Sequence, residues 1–449
     1  MKRKFLTLAA IILLLCGCTD INNSAPVISS PALTSEHAVE AAVYADVTEE
    51  SCETESAPEP DIPSAGTTEL SEAYEMTIPL IDDEPYGTSM NVPETEPILN
   101  TSSVSIVCAG DNLIHTPIYR IAHETAGNEG YEFSPAYEHL GTLISDADLA
   151  ILNQETIISD DFEPSSWPFF CTPTAMARDM TELGFDAFSI ANNHVLDKGE
   201  EGLKSTLNFW KENYPDTPVY GAYLNDEDME NIRTMTVNGI KFAFLGYMEH
   251  TNGLYLPKSS ECRVTYLSDE ETMEQQIRAA REIADCVIVS AHFGIEVTNT
   301  ITDQQRTLSQ KFADWGADII IGTQPHTIQS MEYLDAADGR KAFVFYCLGN
   351  FISTMDNPLS MAEILGCITV TKDNATGALT LSDAYAVPLV NYYDRAYTYV
   401  GVYPLSEYTP ELAVTHCLTD ATYDFILRLF RENIPEEYLK GHDKELIYG

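Results

Sequence analysis

The sequence predicts an α/β fold, on three observations. After Asn100, short β-prone apolar runs alternate with amphipathic stretches of helical periodicity. Nearly every apolar run is followed at once by polar residues able to bind a metal or a reacting oxygen. The 449 residues, 44% of them hydrophobic, suffice for one large or two ordinary domains with a substantial core.

The chain opens MKRKFLTLAAIILLLCGCTD, with Lys2, Arg3 and Lys4 ahead of an apolar stretch from Phe5 to Leu15. That stretch is too short to span a bilayer as a mature helix, so it reads as a secretory signal over residues 1–18. Its end, Leu15-Cys16-Gly17-Cys18, resembles the bacterial lipobox. The expectation is a diacylglyceryl anchor at Cys18 and an exported protein lipid-anchored to the outer face of the bacterial cell membrane. The plainer account is a cleaved signal with incidental cysteines. No other segment is apolar enough to cross a membrane.

From Thr19 to Asn100 there is no Lys or Arg against 18 acidic residues, interspersed with Pro, Ser, Thr and Ala. Such a composition buries too little apolar surface to offset chain entropy, so 19–100 is expected to be a disordered, self-repelling tether. An acidic docking tail for a basic partner is the alternative. The folded domain is expected over 101–445. Over the whole chain 70 acidic residues oppose 24 basic ones, a net of −46. With −18 on the tether and +3 on the leader, residues 101–449 still carry −31. A surface of that sign repels phosphate backbones and argues against nucleic acid as a partner.

Strands are predicted at Val104–Ala109, Leu149–Leu152, Ala187–Ile190, Ile240–Leu245, Val287–Ala291, Ile319–Ile321 and Phe343–Leu348. Surface helices are predicted at Met176–Leu183, Gly202–Tyr214, Glu270–Ala284 and Gln304–Trp315. Beyond Phe351, Ile368–Thr371 and Ala384–Val390 look like strands of a second sheet, and Ala421–Glu432 like a closing helix. Cys108, Cys286, Cys347 and Cys367 lie singly in apolar runs, where free cysteine behaves as a small buried hydrophobe. Clustered Tyr392, Tyr393, Tyr397 and Tyr399 suit a sheet face or a binding rim.

The polar residues at the strand ends read AGDN, LNQE, ANNHVLD, AHFGIE, GTQPH and LGNF. In α/β sheets, loops from several strands converge outside the carboxyl ends, so residues far apart in sequence can share a site. Asp111 supplies a hard oxygen ligand and Glu155 is placed to bridge two cations. Asn193 offers an amide oxygen, and His292 and His326 offer imidazole nitrogens. Asn112, Asn153, Asn192, Asp197, Gln324 and Asn350 line the same strand ends. These mixed donors suit Mn, Zn or Fe rather than Ca or Mg alone. A two-metal cluster would polarise a phosphoryl or carbonyl oxygen and activate a water, with His194 placed to protonate the leaving oxygen. The plainer account of each residue alone is local: Asp111 and Asn112 end a strand, and Asn192, Asn193 and Asp197 cap the next helix. His115, His139, His250 and His416 have no comparable setting and read as structural.

Taken in order, GDNLIH, LNQETIIS, ANNHVLDKGEEGL, AHFGIE, GTQPHTIQSMEY and YCLGNFIS resemble the motif set of the poly-γ-glutamate capsule-synthesis (CapA-like) family, from about Val104 to Phe351. The resemblance implies a metallophosphatase-like four-layer sandwich, two packed mixed β-sheets flanked by helices. It implies a surface component of poly-γ-glutamate synthesis or export acting beside a membrane amide ligase. It also places Asp111, Glu155, Asn193, His292 and His326 on metal-ligand positions of the wider metallophosphatase group, and His194 on its catalytic histidine. Two positions depart from that pattern. Asp-x-His is replaced by Asp111-Asn112-Leu113, with His115 four positions on, and His-Pro-His by Gln324-Pro325-His326. Three functions therefore stay open: a capsular-polymer accessory, a surface hydrolase of phosphoester or amide substrates, and a non-catalytic binding lipoprotein.

Overall fold

The structure, a computed structural model, describes residues 100–449. The expected signal, the lipidation position Cys18 and all but the last residue of the expected tether lie outside the described residues.

The chain first lays down β1 (Thr101–Asn112), β2 (Leu149–Asn153), β3 (Ala187–Ser189) and β4 (Val219–Tyr220) as parallel neighbours. After the short β5 (Ala222–Tyr223) it enters a second sheet with β6 (Arg233–Val237) and β7 (Ile240–Met248), while β8 (Arg263–Val264) returns to pair with β5. The second sheet is completed by β9 (Cys286–His292), β10 (Ile319–Thr323), β11 (Met331–Asp335) and β12 (Lys341–Phe345), in the order β11-β12-β10-β9-β7-β6. The chain then comes back to the first sheet with β13 (Asn350–Ile352), β14 (Ala362–Asp373), β15 (Leu379–Tyr393) and β16 (Val400–Pro404).

That return corrects one expectation. The segments Ile368–Thr371 and Ala384–Val390 lie in β14 and β15, which belong to the first sheet, not the second. β14 pairs antiparallel along most of β1, from Thr101 with Asp373 to Cys108 with Gly366. The parallel run β1 to β4 leaves one edge of β1 open, and an open edge of a long apolar strand calls for a partner. A second, smaller correction is that the strand expected to reach Leu348 stops at Phe345, and Leu348 instead bridges to Ile328.

The four-layer arrangement follows from side-chain alternation along the strands. Phe242, Phe244, Ile288, Ile319, Ile321 and Phe343 share one core with the first sheet, and Tyr220 of β4 meets Phe244 of β7 at 5.5 Å between ring centres. The intervening Leu245, Val287, Val289, Ile320 and Val344 pack beneath helices Glu270–Ile283 and Asp303–Trp315 through Met273, Ile277, Leu308 and Phe312. On the other side, helices Ala175–Leu183 and Gly199–Asn213 bury Met176, Met180, Leu203 and Trp210, with Trp210 4.6 Å from Phe188 of β3.

Helix ends are set by local chemistry. Asp269 and Thr302 accept from the backbone amides three residues on, and Gln305 reaches back to complete a capping box with Thr302. The closing helix starts at Tyr423 because Thr422 caps it. Cys108, Cys286, Cys347 and Cys367 are buried and free, as expected for small hydrophobes. Tyr392 and Tyr393 are buried against His416, so the tyrosine cluster is chiefly a packed sheet face. Among the described residues, no helix is long and apolar enough to cross a membrane.

Candidate metal centre

The carboxyl ends of β1, β2, β9 and β10 and the start of β13 converge on one buried polar cluster. Asp111, Glu155 and His326 each place a ligand atom within 4.8 Å of the others, and all three are buried. Asp111 pairs with Asn350 of β13 and, past a register shift after Ala109, with Asn153 of β2, which fixes it at the sheet's end.

Asp111 is held from three sides. Asn153 donates to its Oδ1 at 2.6 Å, His326 Nδ1 lies 3.0 Å from its Oδ2, and the Gln324 amide donates to Oδ2 at 3.4 Å. Burial by itself would raise this carboxyl, but the hydrogen bond and charge of His326 outweigh it and hold Asp111 below its ordinary value. Burial works against charge on His326 as well. There Glu155 and Asp111 win, and its pKa is pushed up to about 10.

Glu155 is different. Both of its carboxyl oxygens are sealed from solvent and have no hydrogen-bond partner, while Oε1 lies 3.7 Å from His292 Nε2, 3.7 Å from His326 Nε2 and 3.9 Å from His194 Nε2. Burial first, and the charge of Asp111 second, push it well above the usual carboxylate range. A buried carboxyl encircled by imidazoles and left without a partner is costly, and a cation relieves that cost. The donors present therefore fit a divalent metal.

His292 Nδ1 sits 2.9 Å from Thr323 Oγ1, and its Nε2 is 3.1 Å from Asn193 Oδ1. Burial keeps this ring neutral, with its pKa pushed down to about 3. His194 is oriented by Asp197, whose Oδ2 lies 2.8 Å from Nδ1 and also accepts from the Phe170 amide at 2.6 Å. Asn350 Oδ1 lies 2.9 Å from His326 Nδ1. The two residues flanking Pro325 have left-handed backbones, Gln324 at φ 98° and His326 at φ 55°. Strain of this kind, about 1–3 kcal/mol per residue, persists where the surroundings over-determine it.

The structure thus brings together Asp111, Glu155, Asn193, His194, His292 and His326. Asn153, Asp197 and Asn350 support them directly. Asn112 and Asn192 stand behind: Asn112 bonds Gln154 and Tyr137, while Asn192 bonds the Gln154 carbonyl and the His194 amide. The helix-cap account of Asn192, Asn193 and Asp197 does not hold, because the helix they precede begins after Lys198 with no side-chain cap. Gln324 donates to Glu296 at 3.1 Å and leaves its own Oε1 buried without a partner. His139 pairs with Glu407, and His416 is buried between backbone groups.

Sequence reasoning missed Thr323, Glu296 and Phe170. The first two lie inside motifs already singled out, GTQPH and AHFGIE, so their position at a strand end was the available signal. Phe170 has no such signal: it lies in a loop, and only folding sets its ring 4.7 Å from that of His194. The loops that carry Phe170 and Glu296 also expose Trp167, Phe169 and Ile295.

Two Bacillus proteins align with part of the chain. It is 34% identical over 180 residues to the "Capsule biosynthesis protein CapA" of Bacillus anthracis, covering 39% of this chain and 42% of that protein. It is 32% identical over 173 residues to the "PGA biosynthesis protein CapA" of Bacillus subtilis (strain 168), covering 38% and 44%. The match therefore spans less than half the length of either relative. Among solved structures, the Haemophilus influenzae NAD nucleotidase is similar at a TM-score of 0.39 and 14% identity, covering 78% of this chain and 60% of that one. A putative 5'-nucleotidase from Staphylococcus aureus is similar at 0.40 and 15%, covering 68% and 54%. The family described as "Bacterial capsule synthesis protein PGA_cap" matches residues 105–355, the stretch that carries every residue of the centre. With more than half of its length matched, the chain belongs to the bacterial capsule synthesis protein PGA_cap family.

Proposed function

We propose that this protein is an exported component of capsular polymer synthesis or export, with poly-γ-glutamate as the polymer, anchored through a lipid on Cys18 and working beside a membrane amide ligase. Its domain would act as a metal-dependent hydrolase of phosphoester or amide substrates. The observation that carries the site reading is Glu155, a sealed carboxyl with no partner amid three imidazoles. Asp111, Glu155 and His326 would hold the metal, with His292 and Asn193 alongside. The mixed oxygen and nitrogen donors suit Mn, Zn or Fe. When bound, such a metal polarises a phosphoryl or carbonyl oxygen and lowers the pKa of water.

The chain's own groups do the rest. Asp197 engages Nδ1 of His194, so the imidazole exchanges its proton with a leaving oxygen through Nε2. Thr323 and Asn350 fix the rings of His292 and His326 so that ligand nitrogens face inward. Burial excludes bulk water and strengthens every charge interaction within the site. Restoring polymer to a deletion strain tests the proposal. Wild type is expected to restore it, and His194→Ala and His326→Ala are not; full restoration by both variants would remove the catalytic reading.

A second reading is a non-catalytic binding lipoprotein on the same scaffold. It is favoured by the direct approach of His326 to Asp111 at 3.0 Å, which neutralises both without a cation. Absence of bound metal together with full restoration by both variants would select it.

A further inference from the structure

We propose that His115 is a substrate-binding residue, whose Nε2 donates a hydrogen bond to a phosphoryl oxygen of the molecule held at the metal centre. The inference rests on the metal-site reading given above. His115 ends the GDNLIH motif and immediately precedes helix Thr116–Thr125. It is not in the group formed by Asp111, Glu155 and His326.

Two observations place it at the site. The loop that holds His326 through Asn350 also holds His115, since the Thr354 amide donates to His115 Nδ1 at 3.2 Å. The Phe170 ring contacts both imidazoles in edge-to-face geometry, His115 at 5.3 Å and His194 at 4.7 Å, so the two histidines share one aromatic neighbour. Burial keeps His115 itself neutral, with its pKa pushed down to about 4.

The use of its nitrogens then separates His115 from a structural histidine. His416, a purely internal residue, has Nε2 beside the Asn391 carbonyl and accepts at Nδ1 from the Leu418 amide. His115 uses only Nδ1, which lies 3.2 Å from both the Leu113 carbonyl and the Thr354 amide. Both bonds cannot form at once. An orphaned amide donor is rarer than an under-used carbonyl, so Nδ1 accepts from Thr354 and the ring proton sits on Nε2. That nitrogen has no hydrogen-bond partner among the described residues, and the residue, though largely buried, keeps some exposure to solvent. A neutral N–H donor presented at a phosphoryl site binds an anionic oxygen with a charge-assisted hydrogen bond.

The test uses the full chain loaded with Mn²⁺ and inorganic phosphate as the probe. Two variants separate the two nitrogens. His115→Asn keeps an acceptor where Nδ1 meets Thr354 and removes the donor at Nε2, whereas His115→Gln extends a donor toward the Nε2 position. Mn per chain is read by elemental analysis, and phosphate affinity by isothermal titration. His115→Asn is expected to hold as much Mn as wild type but bind phosphate about 10-fold more weakly or worse, with His115→Gln recovering most of the loss. Unchanged phosphate affinity in His115→Asn, or a loss confined to His115→Gln, would overturn the inference and leave the metal site standing. Loss of Mn from His115→Asn would make the residue a ligand and overturn it too. If the wild-type chain takes up no Mn²⁺, the metal-site reading fails and the inference with it.

Discussion

Glu155 and His326 set the proton chemistry of the centre. Both pKa values are raised, Glu155 because burial and Asp111 oppose its charge, and His326 because Glu155 and Asp111 overcome its burial. A metal needs the carboxylate and the neutral imidazole, so a proton shared by this coupled pair must leave on binding. Apparent metal affinity is therefore expected to increase as pH rises through the neutral range, levelling only above about 10, where His326 is already neutral. Titration calorimetry in buffers of different protonation enthalpy would show proton release; binding independent of pH and buffer would contradict the assignment. Behind the proposed ligands, Thr323→Val removes the partner of His292 Nδ1 and is expected to weaken metal binding about 10–100-fold, measured by competition with a chelator. The residues that do this chemistry were legible as types at strand ends. Their division of labour was not. Nothing in the sequence shows that Asn112 turns away to Tyr137 while Asn153 turns in to Asp111, because that choice is made by neighbours brought in from other elements.

The strand ends meet only because two pairs of segments approach unusually closely. A Cβ on Gly110 would lie 1.9 Å from the Gly349 carbonyl oxygen, and one on Gly322 would lie 2.0 Å from that of Tyr346. Gly110→Ala is thus expected to destabilise the domain by about 1–3 kcal/mol or more and to loosen Asp111 next to it. A lower denaturation midpoint in urea, with metal lost in parallel, is the expected outcome, and an unchanged midpoint would contradict it. Most long strands and surface helices were readable from periodicity, since their apolar faces are continuous over five or more residues. The short pieces were not: β13 has three residues and β4 has two, too few to show a period. Sheet membership was also hidden. β14 and β15 carry the apolar pattern of any buried strand, and only long-range pairing with β1 decides which sheet they join.

The domain as a whole carries a net charge of −31 over residues 101–449, while its family relatives are named for capsule and PGA biosynthesis. A polyglutamate chain approaching such a surface is repelled over roughly 10 Å at 0.1 M salt. Binding of oligo-γ-glutamate is therefore expected to strengthen with added salt, and further with added Mn²⁺, opposite to the behaviour of a basic polyanion-binding protein. Affinity that falls as salt rises would point to a local cationic path that the net charge conceals. The proposed metal would supply positive charge where the chain itself supplies least. The most direct measurement is metal per chain by elemental analysis, for wild type beside an Asp111→Ala/His326→Ala double variant after equal incubation with Mn²⁺ or Zn²⁺. Near-stoichiometric metal on the wild type and little on the variant is the result predicted; equal metal on both, or none on either, would contradict a working centre built on Asp111, Glu155 and His326.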